Sequence, residues 1–295
     1  MIGQLSFGND GKLRDKVQTA IDRLKMFEPE EGYWHAMSFG KDSQAVHLLL
    51  CMAKVRFESH YSVTSVDPPE LLQFGKKQYP ETKWDRRYDK NGEPITMWNL
   101  IPKKLMPPTR LVRYCCEELK EAHGEGRVTV TGVRWAESAN RKANQALVTF
   151  PQKSKKLKQE MENLGANFTK TNRGGVVLND DNDASRRAVE NCYRTFKTLV
   201  NPIVDWKTED VWEFLNGEGM PHCELYDEGW DRLGCILCPM GGCEKRKKEA
   251  ERWPKYPELY LKAFERMLEE RKNRGIPTEW KKPEEVMKWW LEEKG

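Results

Sequence analysis

The sequence contains no apolar run near the roughly 18 residues that a membrane span requires, so no transmembrane helix is expected. Its opening residues, MIGQLSFGNDGKLRDK, carry no apolar signal core, and a cytoplasmic chain away from any membrane is the expectation. Internal repeats and long low-complexity tracts are absent. The mononucleotide loop pattern G-x-x-x-x-G-K-[ST] is absent as well. Charge of one sign is scarce: 50 Lys and Arg against 46 Asp and Glu leave +4, which does not by itself imply a nucleic-acid partner. Histidine is sparse, with five residues; His35 in a strand and His47 on a helix read as packed rather than ligating.

What remains is a chain of 295 residues, enough for one large domain or two modest ones with a real core. Eleven Trp, ten Phe and nine Tyr supply the apolar area that a disordered chain lacks. Eight Cys in a cytoplasmic setting serve as metal ligands, nucleophiles or core residues rather than disulfides.

Periodicity gives the organisation. Leu13, Val17, Ala20, Ile21 and Leu24 recur at helical spacing. Residues 32–39 read as a buried strand and 43–54 as a helix directly after it. Residues 60–66 alternate as a strand that stops at Asp67-Pro68-Pro69, because two prolines cannot sit inside a ladder. A helix follows over 70–78, and 127–131 (RVTVT) is a further strand. Strands alternating with helices predict an α/β fold with a doubly wound, mostly parallel sheet. Residues 151–185, polar and Gly-bearing after a basic run, are expected to form a long, mobile surface excursion. The basic run, from Arg141 and Lys142 to Lys158, reads first as a solvated face and second as a clamp for a polyanion. Beyond Cys243, aromatics at helical intervals (256–274 and 284–293) predict a helical C-terminal appendage. The expected organisation is a domain over 1–243 and the appendage over 244–295.

Two motifs carry chemistry. Ser38-Phe39-Gly40-Lys41-Asp42-Ser43 lies between a predicted strand and a predicted helix, where free N–H groups and the helix dipole face an anion. Gly40 admits close approach of phosphates, Ser38 and Ser43 add hydroxyls, and Lys41 adds a charge. The second motif is cysteine: Cys115-Cys116 and Cys235-x-x-Cys238, with Cys243 five residues on. A C-x-x-C turn brings two sulfurs to one side of a tight loop, as a metal site requires. Iron–sulfur, zinc and unliganded thiols all remain open on spacing alone. Cys51, within LLLCMA, reads as a small buried residue, and Cys192 and Cys223 read as structural.

S-x-G-K-D-S resembles the pyrophosphate loop of the adenine-nucleotide α-hydrolase group, which includes ATP pyrophosphatases and phosphoadenylyl-sulfate (PAPS) reductases. Phe39 stands where many members have Gly. The PAPS reductase branch is resembled by further blocks in the same order: Val66-Asp-Pro-Pro-Glu70, Arg113-Tyr-Cys-Cys-Glu-Glu-Leu-Lys120, Thr131-Gly-Val-Arg-Trp-Ala-Glu-Ser138, Asn201-Pro-Ile-Val-Asp-Trp206, Leu225-Tyr-Asp-Glu-Gly229 and Arg232-Leu-Gly-Cys-Ile-Leu-Cys-Pro239. The resemblance implies ATP or a sulfonucleotide (PAPS or its unphosphorylated analogue APS), with Mg²⁺, held by Ser38 to Ser43, Asp67, Gly132 and Arg134. It implies catalytic roles for Lys41, Asp42 and Arg134; a salt bridge from Arg134 to Glu137 is the competing reading. It also implies a [4Fe–4S] cluster on four of the five thiols Cys115, Cys116, Cys235, Cys238 and Cys243. No cysteine follows Cys243, whereas sulfonucleotide reduction needs a nucleophilic thiol on a mobile tail. The expected activity is therefore adenylation of a substrate with pyrophosphate release, coupled to sulfur transfer. Alternatives are sulfonucleotide reduction through Cys243 or Cys192, and a non-catalytic nucleotide-binding subunit. The sequence leaves the acceptor open: a nucleic acid (tRNA or DNA), a protein, a small acid and a sulfonucleotide are all compatible with it.

Overall fold

The computed structural model describes residues 11–292. In chain order the strands are β1 (Tyr33–Ala36), β2 (Phe57–Ser62), β3 (Lys83–Asp85), β4 (Val128–Val130), β5 (Val148–Phe150), β6 (Phe168–Lys170), β7 (Val176–Leu178) and β8 (Thr198–Val200). The helices are α1 (Gly11–Met26), α2 (Lys41–Ala53), α3 (Pro69–Gln78), α4 (Met97–Lys104), α5 (Tyr114–Cys116), α6 (Ala139–Asn144), α7 (Lys155–Asn163), α8 (Asp183–Cys192), α9 (Thr208–Gly217), α10 (Cys243–Arg252), α11 (Lys255–Asn273) and α12 (Pro283–Glu292). No helix among the described residues is long and apolar enough to cross a membrane.

All eight strands join one sheet, in the order β3-β2-β1-β4-β8-β5-β7-β6. β1 runs parallel to β2 and to β4, and β4 runs parallel to β8. From β1 the chain goes first to one side and later to the other, so the order reverses between β1 and β4. The loops that leave the carboxyl ends of those two strands therefore face one crevice, where doubly wound sheets bind ligands. Beyond β8 the sheet turns antiparallel through β5, β7 and β6. This corrects the expectation of a mobile excursion. Residues 151–185 build α7, β6 and β7, and Leu157, Met161, Val176 and Leu178 enter the hydrophobic core. The second strand is displaced too: it covers Phe57–Ser62 rather than 60–66, because the chain turns at Ser65, whose φ is +67°.

The chain divides into two compact units. The first gathers residues 11–61, 73–83 and 124–228 around the sheet, and its core runs from α1 through α2 and β4 to α9. Within α2, Ala45, Val46, Leu49 and Leu50 face inward at helical spacing, and Cys51 falls on the outer face. Cys51 is thus exposed, not buried; a run of apolar residues on a 3.6-residue period must send some members outward. Cys192 and Cys223 are buried.

The second unit gathers residues 62–72, 84–123 and 229–292. It does not begin at residue 244: α10, α11 and α12 belong with the segments carrying Cys115, Cys116, Cys235 and Cys238. Its centre is aromatic. Tyr260 lies 5.1 Å from Trp98 and 4.6 Å from Trp290 between ring centroids, and Phe264 lies 5.5 Å from Trp290.

Candidate functional site

The loop after β1 is cross-linked through Ser43. Its hydroxyl donates to the Gly40 carbonyl at 2.9 Å, accepts the Ser38 backbone N–H at 3.2 Å, and lies 3.1 Å from the Ser38 hydroxyl. Helix α2 begins at Lys41, so its first-turn N–H groups have no intrahelical acceptor. The Lys41 N–H donates to the Tyr226 hydroxyl at 2.9 Å, fixing the helix end from a second segment. Sequence reasoning does not single out Tyr226; only its place in the Leu225-Tyr-Asp-Glu-Gly229 block marks it. The Lys41 ammonium is buried and sits 3.1 Å from Asp42.

Phe39 explains how the loop works without a second glycine. Its φ is +60°, the left-handed conformation that glycine adopts without strain. The ring is fully buried, stacked 4.9 Å from Tyr61 and 6.1 Å from Tyr79. It also lies on Gly75, where an added Cβ would come within 2.4 Å of it. Ring packing thus offsets backbone strain. Phe39→Ala loses the packing and keeps the strain, and is expected to cost about 3–5 kcal/mol. Phe39→Gly loses the same ring but relieves the backbone, and should be milder by about 1 kcal/mol. Urea unfolding of both variants checks the order; a glycine variant less stable than the alanine variant would refute the strain argument.

Gly132 and Arg134, from the loop after β4, close on the same helix end. A Cβ at Gly132 would lie 2.8 Å from the Asp42 backbone, so only glycine allows this approach. The Arg134 side chain is 2% exposed, and its Nε donates to Asp42 Oδ1 at 2.8 Å. Its Nη1 reaches the Trp206 carbonyl at 3.3 Å and the Thr208 hydroxyl at 3.4 Å. The salt bridge weighed between Arg134 and Glu137 does not form; Glu137 pairs with Arg141 at 2.9 Å and accepts the Arg134 backbone N–H. Asp67 belongs to the second unit, where the Thr64 hydroxyl donates to it at 2.7 Å and its carbonyl accepts from Tyr256.

His35 and His47 pack beside this region. His35 Nδ1 is 3.0 Å from the Ser59 hydroxyl, and His47 Nδ1 is 3.3 Å from the same oxygen. Burial, then the neighbouring His47 and His60, lowers the His35 pKa to about 3, while the Ser43 backbone opposes the shift. An imidazole held neutral in the fold but protonated when unfolded stabilises fully above pH about 6.5 and loses that contribution as pH falls toward about 3. Stability should therefore drop by about 2–3 kcal/mol between pH 6.5 and pH 4.5 on this account alone. His35→Gln should flatten the acid limb of a urea-unfolding series; an unchanged limb would assign the loss elsewhere.

The five motif cysteines, Cys115, Cys116, Cys235, Cys238 and Cys243, lie in the second unit. Cys115 is buried and Cys116 half-buried, and Arg113 Nη2 donates to the Cys116 sulfur at 3.2 Å. A hydrogen bond from Cys115 to Cys116 raises the Cys115 pKa and lowers that of Cys116, where Arg113 and Lys120 also favour the thiolate. Cys235 and Cys238 act on Cys115 through their charge, so four thiols share one neighbourhood. Burial raises the Cys235 pKa while Lys120 opposes it. Lys120 is surface-exposed as a residue, yet the charge on Cys235, then Asp67 and Cys116, holds its ammonium pKa up. Cys243 opens α10 beyond Gly241 and Gly242, half-buried, with its charge felt by Lys247. Among the described residues, no three His, Cys, Asp or Glu converge closely enough to hold a single metal ion.

The C-x-x-C turn is braced. Leu237 has φ +58°, and its N–H donates to Glu249 Oε2 at 2.7 Å. The Ile236 N–H donates to the Val66 carbonyl at 2.7 Å, and the Tyr260 hydroxyl donates to the Ile236 carbonyl at 3.4 Å.

Residues 32–240 match the family model of the phosphoadenosine phosphosulfate reductase domain. Adenosine 5'-phosphosulfate reductase of Oceanobacillus iheyensis is 36% identical over 59 residues, covering 20% of this chain and 25% of that protein. An uncharacterized protein of Methanocaldococcus jannaschii is 26% identical over 265 residues, covering 85% of this chain and 52% of that protein. The chain thus spans about half or less of these two relatives. Among solved structures, the phosphate complex of PAPS reductase from Candida auris has a TM-score of 0.41 at 12% identity, covering 79% of this chain and 98% of that one. FMN adenylyltransferase of Candida glabrata with FAD and inorganic pyrophosphate has 0.43 at 13% identity, covering 77% and 64%. Likeness at that distance carries no argument about the site.

Proposed function

The chain belongs to the phosphoadenosine phosphosulfate reductase domain family, and from that premise we propose that it binds an adenine nucleotide on the 38–43 loop and adenylates an acceptor, in a reaction coupled to sulfur transfer. The observation that carries this reading is the junction at the β1/β4 crevice, where Gly132 lies against Asp42 and Arg134 grips it. In that role, first-turn amides of α2 and the Ser38 and Ser43 hydroxyls hold the phosphates, and Lys41 adds its charge. Tyr226 and Arg134 are positioning residues: one fixes the helix start, the other the carboxylate beside Lys41. The acceptor attacks the α-phosphorus of ATP, the bond to the pyrophosphate oxygen breaks, and pyrophosphate leaves; Mg²⁺, when bound, would neutralise charge on it. Charge stabilisation and alignment supply most of the rate.

Cys115, Cys116, Cys235 and Cys238 are the residues we assign to a [4Fe–4S] cluster. Four thiols within charge range of one another match the number of ligands such a cluster takes. When bound, the cluster supplies redox-active, thiophilic iron. Arg113 and Lys120 favour the Cys116 thiolate, and Lys120 opposes the rise that burial imposes on the Cys235 thiol.

A second reading, reduction of a sulfonucleotide, is favoured by the relatives carrying that name. Cys243 is then assigned as the attacking thiol: Cys192 and Cys223 are buried, and desolvation and Glu81 hold the Cys51 thiol above its ordinary pKa.

Anaerobically purified protein incubated with Mg-ATP or with PAPS or APS separates the readings. Acceptor-dependent exchange of labelled pyrophosphate into ATP, with RNA, DNA or protein offered as the acceptor, supports adenylation; sulfite release that disappears in Cys243→Ser supports reduction. Lys41→Ala and Asp42→Ala should each weaken ATP binding by at least about tenfold, the loss of one charge-assisted hydrogen bond. Unchanged affinity in both would remove the loop from the site.

A further inference from the structure

The antiparallel part of the sheet is electrically polarised. Its register sets Phe150 beside Val176 and Val176 beside Lys170, so the ends of β5 and β6 and the turn into β7 lie together. Gly174 in that turn packs on the stem of Lys153, at 3.2 Å from where its Cβ would be. Lys153, Lys155, Lys156, Lys170 and Arg173 therefore crowd one end, and all five are exposed. No Asp or Glu occurs over residues 138–159 or 163–179. Among the described residues none of the five forms an ion pair, while Arg23, Arg141, Arg186 and Arg187 in the same unit are all paired.

Neither fold stability nor edge protection explains this cluster. In α7 the lysines occupy the first turn and Glu160 and Glu162 the second half, the reverse of what the helix dipole favours. Lysine on an edge strand discourages aggregation, which accounts for Lys170 on β6 but not for the four cations outside a strand. The cations are interleaved with Gln152, Ser154, Thr169 and Asn172, and no exposed aromatic or large aliphatic side chain stands among them. Protein partners seat on apolar anchors. Phosphate backbones are gripped by Lys and Arg with Ser, Thr, Asn and Gln.

We propose that this basic end of the β5-β7-β6 insert docks the phosphate backbone of a nucleic acid. As the place where an acceptor is held it rests on the function proposed above; as a binding surface it stands apart from it.

The test is fluorescence anisotropy of the full chain with labelled single-stranded RNA, labelled duplex DNA and labelled poly-glutamate across a salt series. RNA or DNA should bind with an affinity that falls linearly in log–log form against salt, and the tighter of the two identifies the acceptor type. Reversing the charges (K153E, K155E, K156E, K170E and R173E together) should weaken binding by roughly 100-fold or more and flatten the salt slope by about 0.7–0.9 for each phosphate that is no longer neutralised. Neutral replacement of the same five by Gln should give an intermediate loss. ATP affinity should remain at the wild-type level in both sets, which also shows that they fold. Conversely, Lys41→Ala should leave nucleic-acid binding intact, so failure of the nucleotide reading and failure of this surface read out separately. The proposal is overturned if the wild type binds neither nucleic acid near physiological salt, if the Gln set leaves affinity and slope unchanged, or if poly-glutamate binds as tightly as the nucleic acids.

Discussion

Replacing Arg134 with alanine is expected to destabilise the nucleotide-binding unit by about 3 kcal/mol and to weaken ATP binding in the same variant. Removing one partner of a buried ion pair costs about 3–5 kcal/mol, because the other charge is left without compensation. The pair with Asp42 is buried on the arginine side, at 2% exposure, but 22% open on the carboxylate side, so solvent recovers part of the loss. That places the expected cost at the lower end. The Trp206 carbonyl and the Thr208 hydroxyl lose a donor as well. Lysine at position 134 should restore less than half, because a single ammonium cannot replace a planar fork reaching Asp42, Trp206 and Thr208 in different directions. Asp42→Asn with Arg134→Ala should cost less than the two separate losses combined, since the first removes the charge that the second strands. Urea unfolding and calorimetric ATP titration of the set decide the matter. A stability loss below about 1 kcal/mol for Arg134→Ala would mean that the ion pair is solvent-compensated and the helix end is held by Tyr226 and Gly132.

The same ion pair shows what the amino-acid order reveals and what it hides. The strand, loop and helix around residues 33–53 are legible because a buried strand and a 3.6-residue helical pattern meet at Gly40. The glycine at 132 and the arginine at 134 stand out in the sequence as candidates, but not the carboxylate that Arg134 meets. That choice depends on which loops the sheet order brings together, and no local pattern encodes it. Periodicity places strand β2 too late because residues 60–66 alternate convincingly. The alternation gives way at Thr64, whose side chain accepts the Val66 N–H and donates to Asp67, competing with the ladder. β5, β6 and β7 have three residues each, too short to show a period of two above the polar background. Cys115, Cys116, Cys235 and Cys238 are visible as motifs, yet only the fold brings Cys235 and Cys238 within charge range of Cys115. Lys120 is legible merely as one letter of a block; its place against Cys235 is a tertiary fact.

On the cluster assignment proposed above, loss of the Glu249 carboxylate should lower the iron that the protein binds, although Glu249 is not among the assigned ligands. Leu237 sits between the two cysteines of the C-x-x-C turn in a left-handed conformation that costs a non-glycine residue about 1–2 kcal/mol. The Glu249 acceptor holds its N–H at 2.7 Å inside the fold. In Glu249→Ala that N–H becomes a buried orphan, a penalty of about 1–3 kcal/mol that falls on the turn itself. The two penalties act on the same four residues, so the turn relaxes toward ordinary backbone angles and the Cys235 and Cys238 sulfurs separate. Iron bound after anaerobic reconstitution, with absorbance near 400 nm, should fall by half or more in Glu249→Ala. Glu249→Gln keeps an oxygen of the same reach and should retain most of the iron. Lys245, 3.7 Å from Glu249, loses its ion-pair partner in both variants, so a difference between them isolates the hydrogen bond from the charge. Equal iron in the alanine variant and the wild type would show that the cysteine turn holds its shape without this brace. Equal loss in both variants would show instead that the negative charge, and not the acceptor, keeps the turn in place.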